Sequence, residues 1–175
     1  MLKNPSAPHI DSMIRVNQAG EYGATRIYAG QLYVLGKTEA GPTLQEMARQ
    51  EDHHLAVFNQ MAVERDVRPT LLQPLWYVGG YALGFLTALM GEKAAHACTI
   101  AVEEVIEDHY TEQLKSLEGS HENFLISAIE QFRQDEIDHK NHAIAAGGYE
   151  APAYPLLSST IKAISKAAIW LSSRI

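Results

Sequence analysis

Two glutamate and histidine signatures stand at matching places in the two halves of the sequence: Glu21 followed by Glu51-Asp52-His53-His54, and Glu103 followed by Glu136-Ile137-Asp138-His139. The lone glutamate precedes its partner motif by 30 residues in the first half (21 to 51) and by 33 in the second (103 to 136). Residues three apart on an α-helix share a face, so Glu51 with His54 and Glu136 with His139 each present a carboxylate and an imidazole in one direction. Four carboxylates and two imidazoles, with two carboxylates free to bridge, form a donor set for two divalent metal ions. A single Glu-x-x-His is common on solvated helices and carries little weight. The doubled pattern carries more, because the lone glutamates sit in small or apolar contexts, Ala19-Gly20-Glu21-Tyr22-Gly23-Ala24 and Ile100-Ala101-Val102-Glu103. An unpaired carboxylate buried there is costly, and metal coordination removes the cost. A network of ion pairs on helix surfaces leaves those contexts unexplained.

Neighbouring polar residues are read differently. Glu104 and Asp108 fall off the direction set by Glu103, and Glu107 lies one turn along it, so solvation or ion pairing is expected for all three. His53 points about a hundred degrees away from His54 and is expected at the surface. His142, one turn beyond His139, is expected outside the ligand set. His109 and Tyr110 lie about two turns beyond Glu103 and are candidates to relay protons or electrons, although a hydrogen-bonded core histidine explains His109 equally well. Tyr22 has the same ambiguity.

The elements that must position these groups are helical. Alternating Val, Ile and Thr runs are nearly absent, while stretches rich in Ala, Leu, Glu and Gln have helical spacing. A first helix is predicted from about Asp11 or Ser12, either able to cap it, to Gly36, before a turn at Gly41-Pro42. A second opens at Thr43, with Glu46 completing a capping box, and runs to about Asp66. Further helices are predicted over about 92–117 and from a Ser120 cap to about Ala146, and a short one follows Pro152 and Pro155. With helix pairs of equal length, each lone glutamate stands at the depth of a Glu-x-x-His. The predicted architecture is an all-α, ferritin-like four-helix bundle, residues 1–175 forming one domain.

Between Pro69 and Gly91 there is no Asp, Glu, Lys or Arg. The length approaches that of a spanning helix, but Pro74 and Gly79-Gly80 are read as interruptions, and Trp76, Tyr77 and Tyr81 cluster as at a membrane interface, so shallow insertion is favoured over spanning. A terminal segment, about 156–174, carries Leu157, Ile161, Ile164, Ala168, Leu171 and Ile175 on one stripe, with Lys162, Lys166 and Arg174 offset. Packing on the bundle explains both segments; membrane-surface binding or helix-mediated oligomerisation is the alternative. A net charge of −7 and a pI near 5.6 argue against a partner that is a nucleic acid. Cys98, the single cysteine, rules out an intrachain disulfide and a multi-cysteine zinc site. No secretory or organelle-targeting segment is read at the N-terminus.

The stretch Arg15-Val16-Asn17-Gln18-Ala19-Gly20-Glu21-Tyr22-Gly23-Ala24, then Arg26-Ile27-Tyr28-Ala29-Gly30-Gln31, resembles the demethoxyubiquinone hydroxylases of ubiquinone biosynthesis, the Coq7 family. Gln50-Glu51-Asp52-His53-His54, Ala101-Val102-Glu103-Glu104 with His109-Tyr110, and Phe132-Arg133-Gln134-Asp135-Glu136 with His139 extend the likeness over nearly the whole chain. Departures are mild: Asn17-Gln18 replaces an Asp-His of some members, and His53 is an added histidine. The resemblance implies a di-iron monooxygenase, peripheral to a membrane on the cytoplasmic face in a bacterium or the matrix face in mitochondria. It implies O2 as co-substrate and hydroxylation of a polyprenylated methoxy-methyl-benzoquinol. Glu21, Glu51, His54, Glu103, Glu136 and His139 take the ligand roles, His109 that of the relay histidine. An accessory lipid-binding protein of the same pathway and a homo-oligomer are compatible partners. No Gly-x-Gly-x-x-Gly fingerprint is present, so NADH docking directly, a separate reductase or the quinol itself remain as the two-electron donor. Iron and manganese fit the ligand set alike. Three rival functions share these helices: a quinol oxidase of the alternative-oxidase type, a ferritin-like iron or peroxide handler, and a metal-free scaffold.

Overall fold

A proline near a helix start and glycine pairs within a helix read as breaks in a sequence, yet here both lie inside one continuous element. The computed structural model describes the backbone of residues 7–175 and side chains from residue 9 onward. Its six α-helices are α1 (Ala7–Leu35), α2 (Gly41–Glu64), α3 (Gln73–Leu89), α4 (Glu92–Ser116), α5 (Asn123–Ala145) and α6 (Tyr154–Ser172), with a 3₁₀ turn at Gly148–Glu150 and no strand among the described residues. Helices α1, α2, α4 and α5 form the four-helix bundle; α3 packs along α1, and α6 along α4 and α1.

Several predicted boundaries shift. Asp11 and Ser12 lie inside α1 rather than at its cap, and the Ser12 hydroxyl donates to the Ser173 carbonyl at 2.9 Å, tying α6 down. Helix α2 begins at Gly41, with Pro42 in its first turn, where a missing N–H costs nothing. Thr43 is therefore inside the helix, no side chain caps it, and Glu46 pairs with Arg49 on the exposed face. No side chain caps α5 either; Ser120 only accepts a 3.4 Å hydrogen bond from the Glu122 amide in the preceding turn. The terminal helix covers Tyr154–Ser172, within two residues of the expected 156–174, and Pro155 occupies its first turn instead of preceding it.

Helix α3 runs unbroken through Gly79-Gly80, with Pro74 in its first turn. Its glycines serve close approach rather than interruption. A Cβ on Gly80 would stand 2.8 Å from the Gly23 carbonyl oxygen, one on Gly84 would collide with the Ile27 carbonyl, and one on Gly30 with the backbone at Tyr81 and Phe85. Backbone meets backbone along this α1–α3 seam. Gly84→Ala is expected to lower stability by about 1–3 kcal/mol, the cost of overpacking, outweighing any gain in helix propensity. A urea midpoint equal to or above that of the parent would show that the helices part without cost.

Two apolar layers bracket the bundle centre. Ile10, Met13, Ile14, Phe58, Met61, Leu117, Leu125, Ile129 and Phe132 fill one end, and Tyr28, Leu35, Leu44, Met47, Ala88 and Ala95 the other. Ala94, Ala95, Ala97, Cys98 and Ala101 are fully buried on α4, which is covered on almost every side. Burial pushes the Cys98 thiol up to about 12, so it is an inert packing group.

The outward face of α3 remains apolar: Leu75, Tyr77, Val78, Leu86 and Leu89 are exposed, as are Leu71 and Met90 beside it. On α6 the expected stripe is divided. Ile161 is buried, Ile164 is half in solvent, and Trp170 and Leu156 point outward. Trp76 Nε1 donates to Ser172 Oγ at 3.0 Å, and Lys162 pairs with Glu104. No described helix is long and apolar enough to cross a membrane.

Candidate metal centre

Between the two apolar layers, α1 supplies Glu21, α2 Glu51 and His54, α4 Glu103, and α5 Glu136 and His139, and none of these residues exceeds 2% exposure. Their donor atoms fall into two groups, Glu21, Glu51, His54 and Glu136 in one and Glu51, Glu103, Glu136 and His139 in the other, each within 4.8 Å. Glu51 and Glu136 belong to both. His54 Nδ1 lies 3.3 Å from Glu136 Oε1, 3.5 Å from Glu21 Oε2 and 4.0 Å from Glu51 Oε2. His139 Nδ1 lies 3.1 Å from both Glu51 Oε1 and Glu136 Oε2. Each shared carboxylate thus turns one oxygen toward each histidine. Glu21 Oε2, Glu51 Oε1 and Oε2, Glu103 Oε2, Glu136 Oε1 and His54 Nδ1 are buried without a hydrogen-bond partner. Convergent orphaned donors of this kind fit two divalent cations sharing the central carboxylates.

The electrostatics of the protein without metal follow from this crowding. Burial, then the charge of Glu136, holds Glu51 well above the usual carboxylate range; burial and the charges of Glu136 and Glu51 do the same to Glu103. Burial also pushes Glu136 upward, but the paired imidazoles of His139 and His54 outweigh it and bring its pKa to about 2. Burial opposes charge on the two histidines as well, yet pairing with the carboxylates of Glu136 and Glu21 raises His54 to about 12, and pairing with those of Glu136 and Glu51 raises His139 to about 11. Protons on the imidazoles therefore occupy the place of metal charge.

The supporting residues repeat with the halves. Tyr110, seven residues after Glu103, donates its hydroxyl to Glu21 Oε1; Tyr28, seven after Glu21, donates to Glu103 Oε1 at 3.3 Å. Burial, then nearby carboxylates, holds both phenols well above their usual range, so they stay neutral donors. Asp135 Oδ2 lies 3.0 Å from His54 Nε2, and Gln50 Oε1 lies 2.7 Å from His139 Nε2. Phe132 stacks on the His54 ring at 4.0 Å. Tyr28, Gln50 and Asp135 carried no role in the sequence reading. A signal was available: Gln50 and Asp135 each directly precede the Glu of a motif, and Tyr28 stands where Tyr110 stands in the other half.

Of the relay pair, only Tyr110 reaches the centre. His109, six residues beyond Glu103 rather than seven, turns aside: its Nε2 accepts from Gln113 Nε2 at 2.8 Å, and Gln113 exchanges two 2.8 Å hydrogen bonds with Asn17. No hydrogen bond or ion pair joins His109 to the six residues, and burial lowers its pKa, so it is a neutral acceptor. His53, His142 and Asp108 are exposed. Glu107 pairs with Lys140, and Tyr22 packs near Tyr77 with the Arg26 guanidinium 5.7 and 5.5 Å from the two rings.

On the outer side of the α1 and α4 turns that carry Glu21 and Glu103 lies a cavity of about 360 Å³, walled by α1, α3, α4 and α6. Gly20 and Val102, which immediately precede the two glutamates, line it with Gly23, Leu83, Ile106 and Ile164.

The model of the family described as ubiquinone biosynthesis protein COQ7 matches residues 8–172. A Rhodospirillum rubrum protein named 3-demethoxyubiquinol 3-hydroxylase is 52% identical over 167 residues, covering 95% of this chain and 78% of the relative. A rat protein named NADPH-dependent 3-demethoxyubiquinone 3-hydroxylase, mitochondrial, is 49% identical over 176 residues, covering 99% and 81%. A Saccharomyces cerevisiae protein named 5-demethoxyubiquinone hydroxylase, mitochondrial, is 43% identical over 190 residues, covering 99% and 82%. With four bundle helices converging on a doubled carboxylate and histidine site, and a family match spanning all six of its residues, the chain belongs to the COQ7 family of ubiquinone biosynthesis proteins.

Proposed function

We propose that the chain hydroxylates the ring of a polyprenylated demethoxyubiquinol, with two iron ions held by Glu21, Glu51, His54, Glu103, Glu136 and His139. The observation that carries this reading is the pair of buried four-residue donor groups sharing Glu51 and Glu136, with an apolar cavity lined by Gly20 and Val102, the residues next to Glu21 and Glu103. Iron bound there supplies O2 activation: one oxygen atom enters a ring C–O bond, the other leaves as water, and two electrons and two protons are consumed. The chain's own residues bind, orient and exclude water. Glu51 and Glu136 span both positions, Tyr110 and Tyr28 hold the outer carboxylates Glu21 and Glu103, and the apolar layers keep solvent away.

The cavity takes the quinol ring, and the isoprenoid tail follows its α3 wall past Leu75, a lining residue that is itself exposed, with Val78 also exposed on α3 and Trp170 on α6. Those side chains suit a lipid surface, which supports peripheral attachment to the membrane where the substrate dissolves. Several relatives are named as NADPH-dependent; a pyridine nucleotide is accordingly the donor to try first.

A Cβ on Gly23 meets nothing within 4 Å, although the residue lies inside α1 and lines the cavity. Gly23→Ala is expected to raise stability by about 0.5–1 kcal/mol, as helix propensity dictates. Gly23→Leu is expected to raise KM for the quinol about tenfold or more with metal content unchanged, by filling the space the ring needs. Unaltered KM in Gly23→Leu would place the substrate elsewhere.

The direct test is anaerobic loading with ferrous iron, then a single turnover of demethoxyubiquinol with isotopically labelled O2. One labelled oxygen in the ring supports the hydroxylase. O2 consumed with no label in the quinone points instead to a quinol oxidase or peroxide handler.

A further inference from the structure

The two halves of the centre are matched at every residue but one pair. Glu21 corresponds to Glu103, Tyr28 to Tyr110, Glu51 to Glu136 and His54 to His139. The residue that fixes each histidine from behind breaks the match, because Asp135 faces His54 Nε2 at 3.0 Å and Gln50 faces His139 Nε2 at 2.7 Å. Both contacts cross between α2 and α5, and both leave Nδ1 turned toward the shared carboxylates.

A hydrogen bond from the far ring nitrogen fixes the tautomer and raises the basicity of the ligating nitrogen, and an anionic acceptor does so more strongly than a neutral amide. Asp135 also adds a negative charge beside one metal position that the other position lacks. We infer that Asp135 and Gln50 are positioning residues that make the two metal positions unequal: the one built on Glu21 and His54 binds its ion more tightly than the one built on Glu103 and His139. The inference rests on the two-metal reading above. Its consequence is ordered occupancy, in which the His54 position fills first and empties last.

Cobalt(II) serves as the probe, because its visible absorption reports binding without turnover. In the parent protein two ions are expected. Glu103→Ala isolates the His54 position and Glu21→Ala isolates the His139 position, which separates intrinsic affinity from any cooperation through Glu51 and Glu136. The Glu103→Ala protein is expected to bind cobalt about 10–100-fold more tightly than the Glu21→Ala protein. Adding Asp135→Asn, which keeps the size and the acceptor, should remove most of that advantage in the Glu103→Ala background and change little in the Glu21→Ala background. Gln50→Glu should tighten the Glu21→Ala protein. Equal affinities in the two backgrounds, or an Asp135→Asn effect of the same size in both, overturn the asymmetry while two ions in the parent leave the two-metal reading standing. Fewer than two ions in the parent overturn both. Should Glu21→Ala or Glu103→Ala lose its helical circular dichroism, stepwise cobalt release from the parent to a chelator decides instead. Two release phases that merge in Asp135→Asn support the inference, and a single phase in the parent overturns it.

Discussion

Glu136→Ala is expected to reduce turnover by at least about 10³-fold, equivalent to roughly 4 kcal/mol of lost transition-state stabilisation. Glu136 places one oxygen 3.3 Å from His54 Nδ1 and the other 3.1 Å from His139 Nδ1, so its loss injures both metal positions together. Glu21 and Glu103 each serve one position only, and alanine at either should leave a single ion bound. Metal content measured alongside turnover separates these cases: fewer than one tightly held ion in Glu136→Ala, about one in each of the others. A Glu136→Ala protein that keeps two ions and substantial turnover would remove that carboxylate from the centre.

Removing metal should have the second largest effect, and its size should depend on pH. Free metal at about 10³ times Kd stabilises by about 4 kcal/mol per position, so two positions give about 8 kcal/mol. For a domain of this size that corresponds to about 15–30 °C in Tm. The metal-free protein should itself weaken as pH rises. His54 at about 12 and His139 at about 11 carry protons in the folded state that the unfolded chain releases near its ordinary histidine pKa, about 6.5. Between about pH 6.5 and 11 the native state therefore binds more protons than the unfolded one, and stability falls with pH. The raised carboxyls of Glu51 and Glu103 act in the same sense. Metal loading displaces the imidazole protons, so the loaded protein should gain on the metal-free one as pH increases. Thermal melts of chelated and iron-loaded protein at pH 6.5 and 9 check this; a chelated protein with the same Tm at both would contradict it.

The sequence was most informative where chemistry and geometry use the same period. Glu-x-x-His places two donors on one face whatever else the helix does, and the duplicated spacing brings the two halves to one depth; the structure draws all six side chains together. Breaks and caps were read less well. Pro74 reads as an interruption and Pro155 as preceding a helix, yet each stands in the first turn of one, because proline is an obstacle only where its missing N–H would have been used. Gly79-Gly80 reads as an interruption because propensity alone cannot register α1 lying close against α3. The roles of Asp135 and Gln50 depend on how α2 and α5 face each other, information that no single helix contains. His109 and Tyr110 are both candidates from their offsets of six and seven residues, and the helix gives the place beside the centre to Tyr110.

The glycine seam sets a condition on anyone who would rebuild this centre in an artificial scaffold. Ordinary helix pairs stand about 8–10 Å apart because side chains fill the gap between them. Grafting six ligands onto a symmetric designed bundle would reproduce the coordination geometry with no neighbouring compartment, since a fifth helix held off by side chains could not wall the space beside Gly20 and Val102. A functional transplant must therefore carry Gly30, Gly80 and Gly84 with the ligands, although none of the three has a side chain to offer a metal.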